Sequence, residues 1–225
     1  MRRVNSQLKY LSSQSWYQRI NLTNGLITDG KISVSKRMEK IGKIDFFNKT
    51  VLDIGCNSGG NTLWAKKFGA RKVVGIDKNE IRISQAKKLA SFENTKIDYR
   101  CLDIFEYNPK HKFDIIMCFA VITEIQDLVG VLIKIKNLLG EQAYLELNLA
   151  KPKFYFSTSR TWLKGFNGIR RTRAITEIYQ HKVGLTLSPS IELVQLIFGA
   201  DFVVEKIGKG ERYDLIKVFK KISED

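Results

Sequence analysis

Apolar positions in this chain fall into short runs separated by stretches with helical spacing. The runs at 50–54, 72–76, 96–100, 113–118 and 142–149 read as strands, and the stretches at 60–68, 79–90 and 127–139 read as helices between them. Strands and helices alternating in this way predict a parallel sheet covered on both faces. Ahead of this core, Ser35 to Ile44 has the pattern of an amphipathic helix. Behind it, Ser188-Pro189-Ser190-Ile191-Glu192 supplies an N-cap, a proline and an acidic first turn, which starts a helix over 190–198. The closing runs, 199–207 and 213–220, read as an antiparallel hairpin.

The first strand runs into Asp53-Ile54-Gly55-Cys56-Asn57-Ser58-Gly59-Gly60, and the second ends on Asp77. A glycine-rich turn at the carboxyl end of a strand lets backbone N–H groups approach a ligand closely. An acidic residue ending the next strand suits the two hydroxyls of a ribose. The spacing is not Gly-x-Gly-x-x-Gly. A carboxylate two places before the first glycine would sit badly beside a pyrophosphate and well beside a cationic ligand.

The pattern Asp53-x-Gly55-x-Asn57-x-Gly59 resembles the first motif of class I S-adenosylmethionine-dependent methyltransferases. Asn57 stands where that family usually has its middle glycine, and Asn tolerates positive φ. Further matches follow in order: a strand ending on Asp103-Ile104, a strand ending at Cys118-Phe119, and the strand at 142–149. The resemblance implies an α/β, Rossmann-like seven-stranded methyltransferase sheet, mostly parallel, with a C-terminal antiparallel hairpin and helices on both faces. It implies S-adenosyl-L-methionine as cofactor and S-adenosyl-L-homocysteine as product. Cofactor contacts are then expected at Asp53, Gly55, Asn57, Gly59, Asp77, Lys78, Asp103, Ile104 and Phe119.

Two flanking segments resemble methyltransferases related to the tRNA wobble-uridine 5-oxyacetic acid enzyme. One is Trp16-Tyr17-Gln18-Arg19-Ile20 with the following Asn24-Gly25; the other is the helix start at Pro189-Ser190 with Gly199-Ala200-Asp201-Phe202. The implied organisation is an N-terminal strap and helix over 1–45 and a methyltransferase domain over 46–225. An acceptor-binding insert at about 151–186 lies within that domain, where aromatic and basic residues interleave. Trp16, Tyr17, Arg19 and Arg160 are candidate acceptor contacts; for the strap residues, packing on the sheet is the alternative.

Charge sharpens the question of partner. The net charge is +15; residues 1–45 hold nine Lys/Arg against three Asp/Glu, and 151–182 hold eight against Glu177 alone. Convergence of the two segments would favour an anionic acceptor or a nucleic acid; a genomic bias toward Lys is the alternative. Cys56, Cys101 and Cys118 have no metal-ligand spacing and read as small buried thiols. No metal is expected. With no run of eighteen apolar residues and no apolar signal core, no membrane span is expected and the cytoplasm is the expected compartment. Oligomeric state is not legible.

Methyl transfer from a sulfonium is mostly positioning, although an oxygen or nitrogen acceptor also needs a base. Glu124 occupies the place after the fourth strand where relatives often carry histidine; it reads as base, acceptor anchor or helix cap. His181 is the other catalytic candidate, and His111 reads as a surface residue. The expected reaction is methylation of an oxygen or nitrogen on a polar or anionic small molecule or glycan. The alternatives are a tRNA or other RNA acceptor, a carboxylated cofactor met by Arg19 or Arg160, and a non-catalytic cofactor-binding relative.

Overall fold

The computed structural model describes residues 2–119, 121–122, 125–149, 177–181, 184–210 and 213–221, with backbone alone at 2–3, 177–181 and 184–187. Glu124, Arg160 and the side chain of His181 therefore lie outside the described residues, as does most of the 151–186 insert.

In the strap, β1 (Gln18–Arg19) and β2 (Ile32–Ser33) form a short parallel pair, and five parallel strands form the centre of the main sheet: β3 (Thr50–Ile54), β4 (Lys72–Asp77), β5 (Asp98–Cys101), β6 (Phe113–Cys118) and β7 (Leu139–Leu147). The order across the sheet is β10-β11-β7-β6-β3-β4-β5. β10 (Phe202–Lys209) and β11 (Asp214–Lys220) pair antiparallel, and β11 also runs antiparallel to β7. From β3 the chain winds outward to β5, then returns to β6 on β3's other side. Ligands of open α/β sheets bind above such a switch point, at the carboxyl ends of the strands.

Both faces of the central strands are buried, so successive residues feed opposite cores. Val51, Val73, Ile115 and Met117 join the cluster under α3 (Gly60–Lys67), α4 (Glu80–Phe92) and the N-terminal strap. Leu52, Val74, Ile116 and Cys118 join the cluster under α5 (Leu128–Leu138) and α6 (Ile191–Phe198). This explains why these strands read as unbroken apolar runs.

α2 (Val34–Ile41) begins on Ser33, whose hydroxyl accepts from Lys36 N at 3.4 Å, and ends on Gly42 at φ 85°. The expected helix over 35–44 therefore stops three residues early, because a left-handed glycine closes it. Two elements were not expected. α1 (Arg2–Ser12) packs by Leu11 and by Tyr10, whose ring meets Phe92 of α4 edge-on at 5.6 Å. β8 (Glu177–His181) and β9 (Gly184–Ser188) form a hairpin inside the insert. Between α5 and β7 no loop intervenes; the helix ends at Leu138 and the strand begins at Leu139. Cys56 and Cys118 are buried, but Cys101 is exposed, because β5 is the edge strand and Cys101 ends it.

Candidate active site

A cavity of about 320 Å³ opens above the β3/β6 switch point. Its floor is the turn after β3, where Gly55, Asn57 and Gly59 have φ of 68°, 52° and 83°. All three positions thus adopt the left-handed conformation that glycine and asparagine tolerate. A Cβ on Gly55 would strike the Val121 side chain, and one on Gly59 would strike the Tyr99 hydroxyl.

Asp77 ties this turn to the next. Its Oδ2 accepts from Asn57 N and its Oδ1 from Asn79 N, each at 2.9 Å. Each oxygen keeps a second acceptor site, so the carboxylate still has capacity for a vicinal diol. Lys78, Leu102, Asp103 and Ile104 continue the wall beyond Asp77. Asp103 is exposed and its Oδ1 accepts from Phe105 N at 3.0 Å; Ile104 is buried. Together they offer an apolar slot with a carboxylate at its edge, which suits a purine with an amino group.

The opposite end of the cavity is built differently. Asp53, the last but one residue of β3, is fully buried and neither carboxylate oxygen receives a hydrogen bond. Burial pushes its carboxyl up to about 8; Arg37 nearby draws it back, while Asp77 adds to the rise. Asn61 also draws it back without a well-aligned hydrogen bond, and Asn61 Oδ1 is itself buried without a partner. Arg37 is buried, with its Nε unpartnered and its guanidinium 5.2 Å from the centre of the Phe119 ring. Its other side faces Glu146 of β7 at 3.7 Å. Unpaired buried polar groups are costly. Here an acidic oxygen, an amide oxygen and a guanidinium N–H lack partners in one region, with Arg37 and Asn61 lining the cavity. An α-ammonium and an α-carboxylate would satisfy them together.

Strap residues sort into two kinds. Tyr17 and Gln18 line the cavity. Gln18 Oε1 accepts from Gly60 N at 3.0 Å, so the strap caps the first turn of α3. Trp16 does not line it: it is buried in the strap-side core, its indole N–H donating to Leu11 O at 2.8 Å. Arg19 does not line it either; it is exposed and lies 3.9 Å from Asp29. Arg37, Gln18 and Arg82 line the cavity and were not expected from sequence.

Residues 31–180 match the family model described as "Methyltransferase domain". The chain belongs to this methyltransferase-domain family. Among curated proteins, this family member is similar to the ubiquinone biosynthesis O-methyltransferase of Bradyrhizobium diazoefficiens, at 38% identity over 84 residues, 37% of this chain and 32% of that protein. The enzyme of the same name from Rhodopseudomonas palustris is 38% identical over 78 residues, 35% of this chain and 30% of that protein. The chain thus spans about a third of the length of these relatives. Among solved structures, the N-terminal domain of EvdMO1, crystallised in the presence of SAH and D-fucose, superposes with a TM-score of 0.67 at 13% identity, covering 98% of this chain and 97% of that one. The magnesium protoporphyrin IX methyltransferase of Synechocystis with bound SAM superposes with a TM-score of 0.56 at 16% identity, covering 83% and 77%. At such identities these structures share the fold. Among the described residues, no cluster of His, Cys, Asp or Glu could hold a metal, and no helix is long and apolar enough to cross a membrane.

Proposed function

We propose that this chain binds S-adenosylmethionine and transfers its methyl group to an oxygen or nitrogen of a polar or anionic small-molecule or glycan acceptor. The carrying observation is the buried Asp53 carboxylate, without a hydrogen-bond partner, beside the cavity end lined by Arg37 and Asn61, whose Nε and Oδ1 also lack partners. A zwitterionic amino-acid tail matches that set in charge and in hydrogen-bonding capacity, and a dinucleotide pyrophosphate does not. In this reading Asp77 accepts the ribose hydroxyls, and Asp103 with Ile104 holds the adenine. Asp53 and Asn61 take the methionine ammonium, and Arg37 takes its carboxylate. Phe119 and Tyr17 exclude water where the acceptor meets the methyl donor. The donor supplies an activated methyl group; the residues position it and the acceptor in line. Glu124 or His181 acts as base, and Arg160 contacts the acceptor.

Calorimetric titration of S-adenosylmethionine, S-adenosylhomocysteine and NAD tests the reading. Micromolar binding of the first two, lost in Asp77→Ala, supports it; preference for NAD overturns it. A second reading, an RNA acceptor such as a wobble uridine, is favoured by the net charge of +15. Steep loss of acceptor affinity with salt would select RNA, since phosphate contacts release counterions.

A further inference from the structure

The end of the sheet opposite the cavity, where β3 and β4 begin, carries an unusual surface. Phe47 is 75% exposed and Phe68 is 50% exposed. They are neighbours: a Cβ on Gly69 would come within 3.1 Å of the Phe47 ring, and Phe68 packs against Trp64 with ring centres 5.0 Å apart. The two loops are laced into one platform by Asn48 N donating to Gly69 O at 3.0 Å and Arg71 N donating to Lys49 O at 2.9 Å. Phe46 beneath is buried and anchors the platform. Both rings leave apolar surface in water in the free protein, which burial would recover.

Cations surround them. Lys67, Arg71 and Lys72 are exposed at the end of α3 and the start of β4, and Lys43 is exposed in the approach to Phe47. The nearby carboxylates are already engaged: Glu141 is paired with Lys49 at 2.6 Å, and Asp45 Oδ1 accepts from Phe47 N at 3.0 Å. Along the same edge, β11 reaches the start of β7 at Phe219 opposite Gln142, and exposed Lys220 and Lys221 follow. Cationic charge is thus in excess around two protruding rings.

We propose that this platform docks on an anionic lipid bilayer, with Phe47 and Phe68 entering the headgroup boundary and Lys67, Arg71 and Lys72 meeting anionic headgroups. Apolar rings ringed by Lys and Arg are the combination that binds such interfaces. Single-strand nucleic acid favours rings lying flat along a basic groove, whereas Phe47 is three-quarters exposed on a loop. The cavity opens at the other end of the strands, so a docked protein keeps it open to solution.

The test is co-sedimentation of the full chain with phosphatidylcholine vesicles, with and without phosphatidylglycerol. Partitioning should rise at least about tenfold with phosphatidylglycerol, because cations near the surface are drawn to anionic headgroups, and fall with added salt. Phe47→Ser with Phe68→Ser should remove most of it; a cooperative thermal transition with only a small drop in midpoint, from the lost Trp64 contact, shows that the variant is folded. Lys67→Glu with Arg71→Glu should do the same. The basic segment 151–182 would also attract anionic vesicles, so undiminished binding by the Phe double variant overturns the proposal. Equal partitioning on the two vesicle types also overturns it.

Discussion

Arg37 of α2 and Glu146 of β7 face each other across 3.7 Å with side chains 3% and 0% exposed. One side of the guanidinium is spent on this pair; the other faces the cavity. Glu146 also accepts from Tyr213 N at 3.4 Å, so one carboxylate joins α2, the sheet and the turn before β11. Breaking a buried pair leaves its partner charged in a low-dielectric site, at a cost of about 3–5 kcal/mol. Glu146→Ala should lower the urea-unfolding free energy by about 3 kcal/mol. Arg37→Met, which removes the cavity cation, should weaken cofactor binding more than tenfold, about 1.4 kcal/mol. If Arg37→Met binds S-adenosylmethionine as tightly as the parent, Arg37 does not hold its carboxylate.

Asp53 should give the protein an inverted acid response. Its folded-state value near 8 lies above the ordinary 3.8, so the folded chain holds a proton that the unfolded chain releases. The group's contribution to stability is therefore complete below the ordinary value and is lost as pH rises through about 8. Thermal unfolding without ligand should show a melting temperature that falls between roughly pH 4 and roughly pH 8 and then levels off, with Asp53→Asn flattening the slope. A ligand ammonium favours the ionised carboxylate, so binding near neutrality should release a proton. Titrations in buffers of different ionisation enthalpy would read that release directly, and equal heats would rule it out.

Legibility followed sequence distance. Gly55, Asn57, Gly59, Asp77, Asp103, Ile104 and Phe119 sit at or just after strand ends, where a short motif fixes both backbone shape and direction; the structure puts the five with side chains able to line a wall, Asn57, Asp77, Asp103, Ile104 and Phe119, on the cavity. Arg37 was hidden because it lies in Ser35-Lys36-Arg37-Met38-Glu39-Lys40, where a cation on an amphipathic helix looks solvated. Only the tertiary approach of Glu146 shows otherwise. Helix α1 was hidden because Val4 and Leu8 are 40% and 48% exposed while polar Gln7 is buried beside Leu11, so the apolar pattern does not mark its packed face.

Gln18 holds the strap to the cofactor turn through the Gly60 N–H, both groups buried. Replacing it with leucine keeps the volume but orphans that donor, at a cost of about 1–3 kcal/mol. Gln18→Leu should lower the unfolding midpoint and weaken S-adenosylmethionine binding, while Arg19→Ala, at an exposed position off the cavity, should change neither. Equal effects of the two substitutions would show that the strap contributes only bulk packing.

Asp77 carries two loads that can be separated. Its carboxylate organises the turn through Asn57 N and Asn79 N, and it is the group placed to take a ribose diol. Hydrogen bonds to a charged group contribute about 1.5–3 kcal/mol each, so losing two to the ribose should weaken cofactor binding at least about a hundredfold. Asp77→Ala removes both loads. Asp77→Asn keeps one acceptor oxygen for the turn but has neither the charge nor the second acceptor for the diol. If the ribose role holds, Asp77→Asn should keep most of the parent's melting temperature yet lose most of its affinity for S-adenosylmethionine and adenosine alike. If Asp77 is only a structural tie, affinity should track melting temperature across the two variants, and adenosine, which has the ribose but no methionine tail, should discriminate between them no better than methionine does.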